Sequence, residues 1–206
     1  MSIEAVIFDI GNVLVEWRPE RFYGLRIGEA RRRAMFAEVD VFGMNDLVDQ
    51  GHDLRETVLA CAQRHSKWHD EILMWHENWI DFAQPAIPGS VDVLRRLRAS
   101  GVPVFALSNF GVETFASVEA IYPFLVEFDR RFISGHMGIT KPNPDIYHAV
   151  EVACGIAPER LLFTDDRAEN IDAAAARGWR VHLFDSADGL ASRLVAEGLL
   201  QQEAIP

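Results

Sequence analysis

The stretch Leu161-Leu162-Phe163-Thr164-Asp165-Asp166 is a short apolar run that ends in a hydroxyl and two carboxylates. The same pattern recurs along the chain. Ala5-Val6-Ile7-Phe8 runs into Asp9, Val104-Phe105-Ala106-Leu107 into Ser108 and Asn109, and Val181-His182-Leu183-Phe184 into Asp185, with a weaker copy at residues 131–134. Continuous apolar runs bounded by polar residues suit strands covered on both faces, as in a parallel sheet. Helical patterns lie between them. Val91, Leu94 and Leu97 share one helical face, and Ser100-Gly101 stops that helix. Residues 144–154 and 168–177 form two more helices, with Gly155 and Gly178 just past their ends. Strand alternating with helix through short connections predicts an α/β fold: a Rossmann-like, doubly wound parallel sheet.

Residues 18–85 interrupt the alternation. They hold no convincing strand, although a parallel crossover needs only about a dozen residues. An inserted helical unit at 18–85 is expected, with residues 1–17 and 86–206 forming the core domain. Its best helix carries Trp68, Ile72, Trp75, Trp79 and Phe82 on one face. This stripe reads as buried core rather than as a ligand platform. His65 and His69 stand one helical turn apart without an evident third ligand, and read as a solvated or partly buried face. Arg31, Arg32 and Arg33 read as a solvated charge run.

Composition narrows the function. The 206 residues are 49% hydrophobic and 25% charged, which is ordinary for a folded globule. A formal net charge of −11 opposes nucleic acid and anionic membrane surfaces, so neither is an expected partner, and any anionic ligand needs local positive charge. The two cysteines, Cys61 and Cys154, form no CxxC pair, and the start MSIEAVIFD lacks the basic region of a signal peptide. A cytoplasmic protein is expected.

Ligands of open α/β sheets bind beyond the carboxyl ends of the strands, where this sequence brings Asp9, Ser108, Asn109, Asp165 and Asp166. Lys141 sits in GITKPNPDIY, a proline-bracketed turn leading into a helix. Acid, hydroxyl, lysine and acid pair, in that order, resemble the four motifs of the haloacid dehalogenase superfamily: FDIGNVL, ALSN, KPNPDIY and LLFTDDRAEN. The insertion resembles the helical cap of that superfamily's first subfamily. The version FDxGNV is similar to a bacterial branch typified by α-glucose-1-phosphate phosphatase.

The resemblance implies a phosphatase of small organic phosphate monoesters, sugar phosphates favoured, acting through an aspartyl-phosphate. Asp9 would be the nucleophile. A Mg²⁺ ion would be held by Asp9, the backbone carbonyl of Gly11 and Asp166, offsetting repulsion between carboxylate and phosphate. Ser108, the Asn109 backbone N–H and Lys141 would bind the phosphoryl oxygens. Asp165 would orient Lys141 or a metal-bound water, and Asn170 would either hydrogen-bond the site or cap locally. The superfamily's phosphatases carry a second Asp two positions after the nucleophile as general acid. Here that position is Gly11, where a positive φ would penalise any side chain, and Glu16 is the first candidate substitute. One rival is a 2-haloacid dehalogenase, which uses the same nucleophile without metal but lacks the acidic pair. A second is a catalytically idle binding or regulatory protein, suggested by Gly11.

Overall fold

The computed structural model describes residues 2–201. Its sheet contains β1 (Ala5–Phe8), β2 (Val104–Ser108), β3 (Arg130–Ile133), β4 (Leu161–Asp165) and β5 (Arg180–Leu183). All neighbours pair in parallel, in the order β3-β2-β1-β4-β5. The three central strands are buried along their whole length, and the edge strands β3 and β5 are more open. Their continuous apolar sequences follow from that position.

The pleat sorts alternate residues to opposite faces. Val6, Phe8, Val104, Ala106 and Leu162 belong to one hydrophobic cluster, and Ala5, Ile7, Phe105, Leu107, Leu161 and Phe163 to a second. Between β1 and β2 lie α1 (Pro19–Ile27), α2 (Glu29–Glu38), α3 (Val41–Asp49), α4 (Leu54–Arg64), α5 (His69–Glu77), α6 (Trp79–Phe82) and α7 (Pro88–Ala99). Then come α8 (Val112–Ile121), α9 (Ser134–Met137), α10 (Pro144–Cys154), α11 (Ala168–Ala176) and α12 (Ala187–Ala196). Helices α7 and α12 pack on the first face through Leu94, Leu97, Leu190 and Leu194. Helices α10 and α11 cover the second through Tyr147, Val150, Ile171 and Ala174. Gly155 and Gly178 end α10 and α11 at φ +70° and +91°, values that favour glycine.

The helices before α7 are not a separate droplet. Tyr23, Trp75 and Phe82 belong to the same cluster as Phe8, and the Trp79 ring meets Phe110, just past β2, at 5.7 Å. Trp68, Ile72, Trp75, Trp79 and Phe82 are all buried, but they do not share one helix. The expected helix is broken into a 3₁₀ turn (Ser66–Trp68), α5 and α6. Asn78 sits at the break, and its side chain donates back to the Met74 carbonyl at 3.1 Å, the local competition that makes Asn a poor interior helix residue. Arg31 departs from a simply solvated run: it pairs with Glu71 and lies over the Trp68 ring at 5.0 Å.

Candidate active site

Sheet register sets the site. Phe8 pairs with Ala106 and with Thr164, so the next residue, Asp9, stands level with Leu107 and Asp165 at the carboxyl end of the sheet. Strands β2 and β4 run on through Ser108 and Asp165, one and two residues beyond the apolar runs. Both polar side chains are thereby fixed by backbone pairing rather than carried on loose loops.

Asp9 Oδ1 accepts the Ser108 hydroxyl at 2.6 Å and its neighbour Ile10 N–H at 2.8 Å, and lies 3.0 Å from Lys141 Nζ. Lys141 Nζ also donates to Asp165 Oδ2 at 2.6 Å. The Asn109 side chain makes a reciprocal pair with the Lys141 backbone, its amide donating to the carbonyl at 3.0 Å and its oxygen accepting the N–H at 2.9 Å. Asn109 thus anchors the lysine turn to the end of β2. Asp165 is fully buried and saturated: the Arg167 N–H donates to Oδ1 at 2.8 Å, and Asn170 Nδ2 reaches both carboxylate oxygens at 3.0 Å. Asn170 therefore bonds the site rather than capping its own helix.

Asp9, Asp165 and Asp166 present oxygens that all lie within 4.8 Å of one another. Burial, together with the charges of Asp165 and Asp166, pushes Asp9 up to about 6 against the opposing pull of Lys141 and Ser108. Asp166 is raised by burial and by Asp165. Burial alone would depress Lys141, but Asp165 and Asp9 outweigh it and hold the ammonium above its ordinary range. One buried cation among three carboxylates leaves excess negative charge. That donor set of hard oxygens fits a divalent cation such as Mg²⁺. A second observation agrees: Asn170 Oδ1 is a buried acceptor on the cavity wall with no donor among the described residues. Asp165 is already committed to Lys141, Arg167 and Asn170, so Asp9 and Asp166 are the carboxylates open to a metal.

These residues floor a cavity of about 370 Å³, whose other walls include Trp17, Phe42, Trp79 and Phe110. The volume suits a small organic molecule. Gly11 lines it too, with nothing within 4 Å of a Cβ built there. Gly11 has no positive φ; the residue after it does, Asn12 at +55°, a conformation that Asn tolerates better than most side chains. Asn12 had no assigned role, yet it donates to Asp166 Oδ2 at 3.1 Å and accepts the Trp17 N–H at 3.0 Å. Glu16 does not line the cavity; it pairs with Arg21 at 2.8 Å. His65 and His69 join no metal cluster among the described residues. His65 bonds the Cys61 carbonyl and His69 sits beside Asp70. Sequence reasoning also passed over Asn45 and Asp49 of α3, both buried and both on the cavity wall. Their one signal was a polar pair four residues apart in a helix whose other residues, Asp46 aside, are apolar or glycine.

A parallel α/β sheet with an acid, a hydroxyl, a lysine and an acid pair gathered at its carboxyl end defines a class of hydrolase. The chain belongs to the haloacid dehalogenase-like hydrolase family, whose model matches residues 3–178. A phosphatase of Mycobacterium tuberculosis, MT3486, is 28% identical to it over the full length of both chains. The (S)-2-haloacid dehalogenase of Pseudomonas fluorescens is 28% identical over 52% of this chain and 48% of its own. Among solved structures, the HAD family enzyme BT-2542 of Bacteroides thetaiotaomicron, in complex with magnesium and inorganic phosphate, superposes with a TM-score of 0.69 at 23% identity. The match covers 90% of this chain and 96% of that one, and at that identity it is a likeness of fold. No helix among the described residues is long and apolar enough to cross a membrane.

Proposed function

We propose that this chain is a Mg²⁺-dependent phosphatase of small organic phosphate monoesters. The observation that carries the reading is the acidic pair: Asp165 is committed to Lys141 while Asp166 stays open beside Asp9. Dehalogenases displace halide from carbon and need no second free carboxylate for a metal. The phosphatase-named relative matched over the whole chain supports the same choice.

Asp9 attacks phosphorus, forming an aspartyl-phosphate and splitting one hard hydrolysis into two easier steps. Ser108 Oγ, 2.6 Å from the nucleophile, turns its hydrogen to a phosphoryl oxygen. Lys141, which Asp165 keeps charged and oriented, neutralises a second oxygen. The Asn109 backbone N–H serves a third. A Mg²⁺ ion held by Asp9, the Gly11 carbonyl and Asp166 would supply charge neutralisation between carboxylate and phosphate. The rings of Trp17 and Phe42 on the cavity wall suit the carbon face of a sugar, which keeps sugar phosphates the favoured class.

Turnover of an aryl phosphate with and without Mg²⁺, beside halide release from a 2-haloacid, tests the reading. Metal-dependent phosphate release that exceeds any halide release is expected. Faster halide release in chelator would establish the dehalogenase, and silence in both assays a binding protein.

A further inference from the structure

Breaking a phosphate ester leaves an alkoxide unless the departing oxygen receives a proton, and no obvious donor stands beside Asp9. Gly11 occupies the position after next. Lys141 is locked between Asp9 and Asp165 at 3.0 and 2.6 Å, and Glu16 is turned to Arg21. Of the remaining carboxylates on the cavity wall, Asp166 belongs to the acidic cluster and Asp46 is exposed. Asp49 is buried and lines the same cavity as Asp9.

Asp49 is held in a built setting. Asn45, one turn earlier on α3, accepts the indole N–H groups of Trp75 and Trp79 on Oδ1 at 3.3 and 3.4 Å. An indole only donates, so those two bonds fix which way the Asn45 amide points. Its Nδ2 is thereby aimed at Asp49 Oδ2, 3.0 Å away. The backbone is pinned as well. Ser134 Oγ donates to the Asp49 carbonyl at 2.6 Å and accepts the Phe110 N–H at 3.0 Å. Glycine lets the pieces meet: a Cβ on Gly111 would lie 2.5 Å from Val48 Cγ1, and one on Gly51 would lie 2.7 Å from the Gly135 carbonyl oxygen. The end of α3 is therefore docked on the loop that follows β2 and on the start of α9, which follows β3 directly.

We infer that Asp49 is the general acid and base of the hydrolysis, an inference that rests on the phosphatase reading. In the first step an Asp9 oxygen bonds to phosphorus, the ester P–O bond breaks, and the Asp49 proton passes to the leaving oxygen. In the second, water attacks phosphorus and gives a proton to the Asp49 carboxylate. The Asp9–phosphorus bond then breaks, releasing inorganic phosphate and restoring both groups.

The surroundings favour that cycle. Burial, then the charge of Asp46 on the same helix and of Asp9 just past β1, push Asp49 up to about 7, against the opposing Gly111 N–H and Lys141. Asp166 and Arg167 are the other charged groups on the cavity wall. Asp49 thus carries a proton near neutrality and can regain it after donating.

The test compares wild type with Asp49→Asn on an alkyl and an aryl phosphate of similar size, with Mg²⁺ present. Loss of a general acid costs about 10²–10⁴-fold, so kcat/KM on the alkyl ester should fall by that factor. The fall on the aryl ester, whose leaving group needs little protonation, should be far smaller. The variant should also release aryl alcohol in a burst equal to the enzyme present and then turn over slowly, because water has lost its base. Equal losses on both esters, or no loss, would overturn the role while leaving the phosphatase reading intact. A wild type inert to both esters would overturn the reading itself. The wild type supplies a check that needs no mutation: its alkyl-to-aryl ratio of kcat/KM should fall as the pH is raised through about 7. A ratio independent of pH would exclude Asp49 as the donor.

Discussion

Replacing Lys141 with Met removes the buried ammonium from between Asp9 and Asp165 and leaves a side chain of similar length in its place. Lys141 is 4% exposed, and its two partners lie 3.0 and 2.6 Å away with almost no access to water. Deleting one side of a buried ion pair costs about 3–5 kcal/mol, because the remaining charge loses its compensation. For a chain of this length that lowers Tm by roughly 6–20 °C. The pH dependence has a defined sign. Burial already pushes Asp9 up to about 6, and Lys141 is the chief influence pulling it down, so the variant raises Asp9 further. A carboxyl whose folded value is raised contributes stability below its unfolded value and loses it as pH climbs through the folded one. The gap between wild type and Lys141→Met should therefore be widest in alkaline buffer and narrow below about pH 6, where Asp9 takes up a proton. Thermal melts of both proteins in chelator, across that range, measure it. Equal melting temperatures in alkali, or a gap that widens on acidification, would refute the placement of Lys141 as the cation of this cluster.

Saturating Mg²⁺ should raise the wild-type Tm, by about 2.7 kcal/mol of stabilisation at a hundredfold excess over Kd, and Asp166→Ala should abolish that rise; an undiminished rise would remove Asp166 as a ligand. Trp75→Ala should cost about 3–5 kcal/mol, since the indole is fully buried, with Phe82 at 5.0 Å and Trp17 at 6.3 Å. An unchanged melt with a raised KM would make the aromatic stripe a ligand surface instead.

Much of this was legible in the sequence because the strands advertise themselves. A parallel strand buried on both faces is apolar at every position, and its end is marked by the first residue that can meet a ligand. Asp9, Ser108, Asp165 and Asp166 were picked out in that way, and Lys141 by the turn bracketed by Pro142 and Pro144 that follows it. Strand ends were misjudged by a residue or two because Ser108 and Asp165 keep their backbone pairing after the apolar run has stopped. Asn45 and Asp49 were invisible for a different reason. Which face of α3 is buried depends on where that helix docks, and the contacts that dock it, Ser134, Gly111 and Gly135, lie far away in sequence. The stripe from Trp68 to Phe82 showed which side chains are buried but not that Asn78 would break the helix, since apolar spacing survives a local turn. Asn12 escaped notice because its backbone conformation, and not its residue type alone, turns its amide toward Asp166.

The central claim is that Asp9 becomes covalently phosphorylated. Wild-type protein mixed with an aryl phosphate and Mg²⁺, quenched in acid within a single turnover and reduced with borohydride, tests it directly by peptide mapping. An acyl phosphate on Asp9 is reduced to homoserine, so residue 9 should appear as homoserine in the quenched sample and as Asp in a control without substrate. Phosphate release at the full rate with residue 9 recovered only as Asp, or an Asp9→Asn variant that still turns over, would contradict the account.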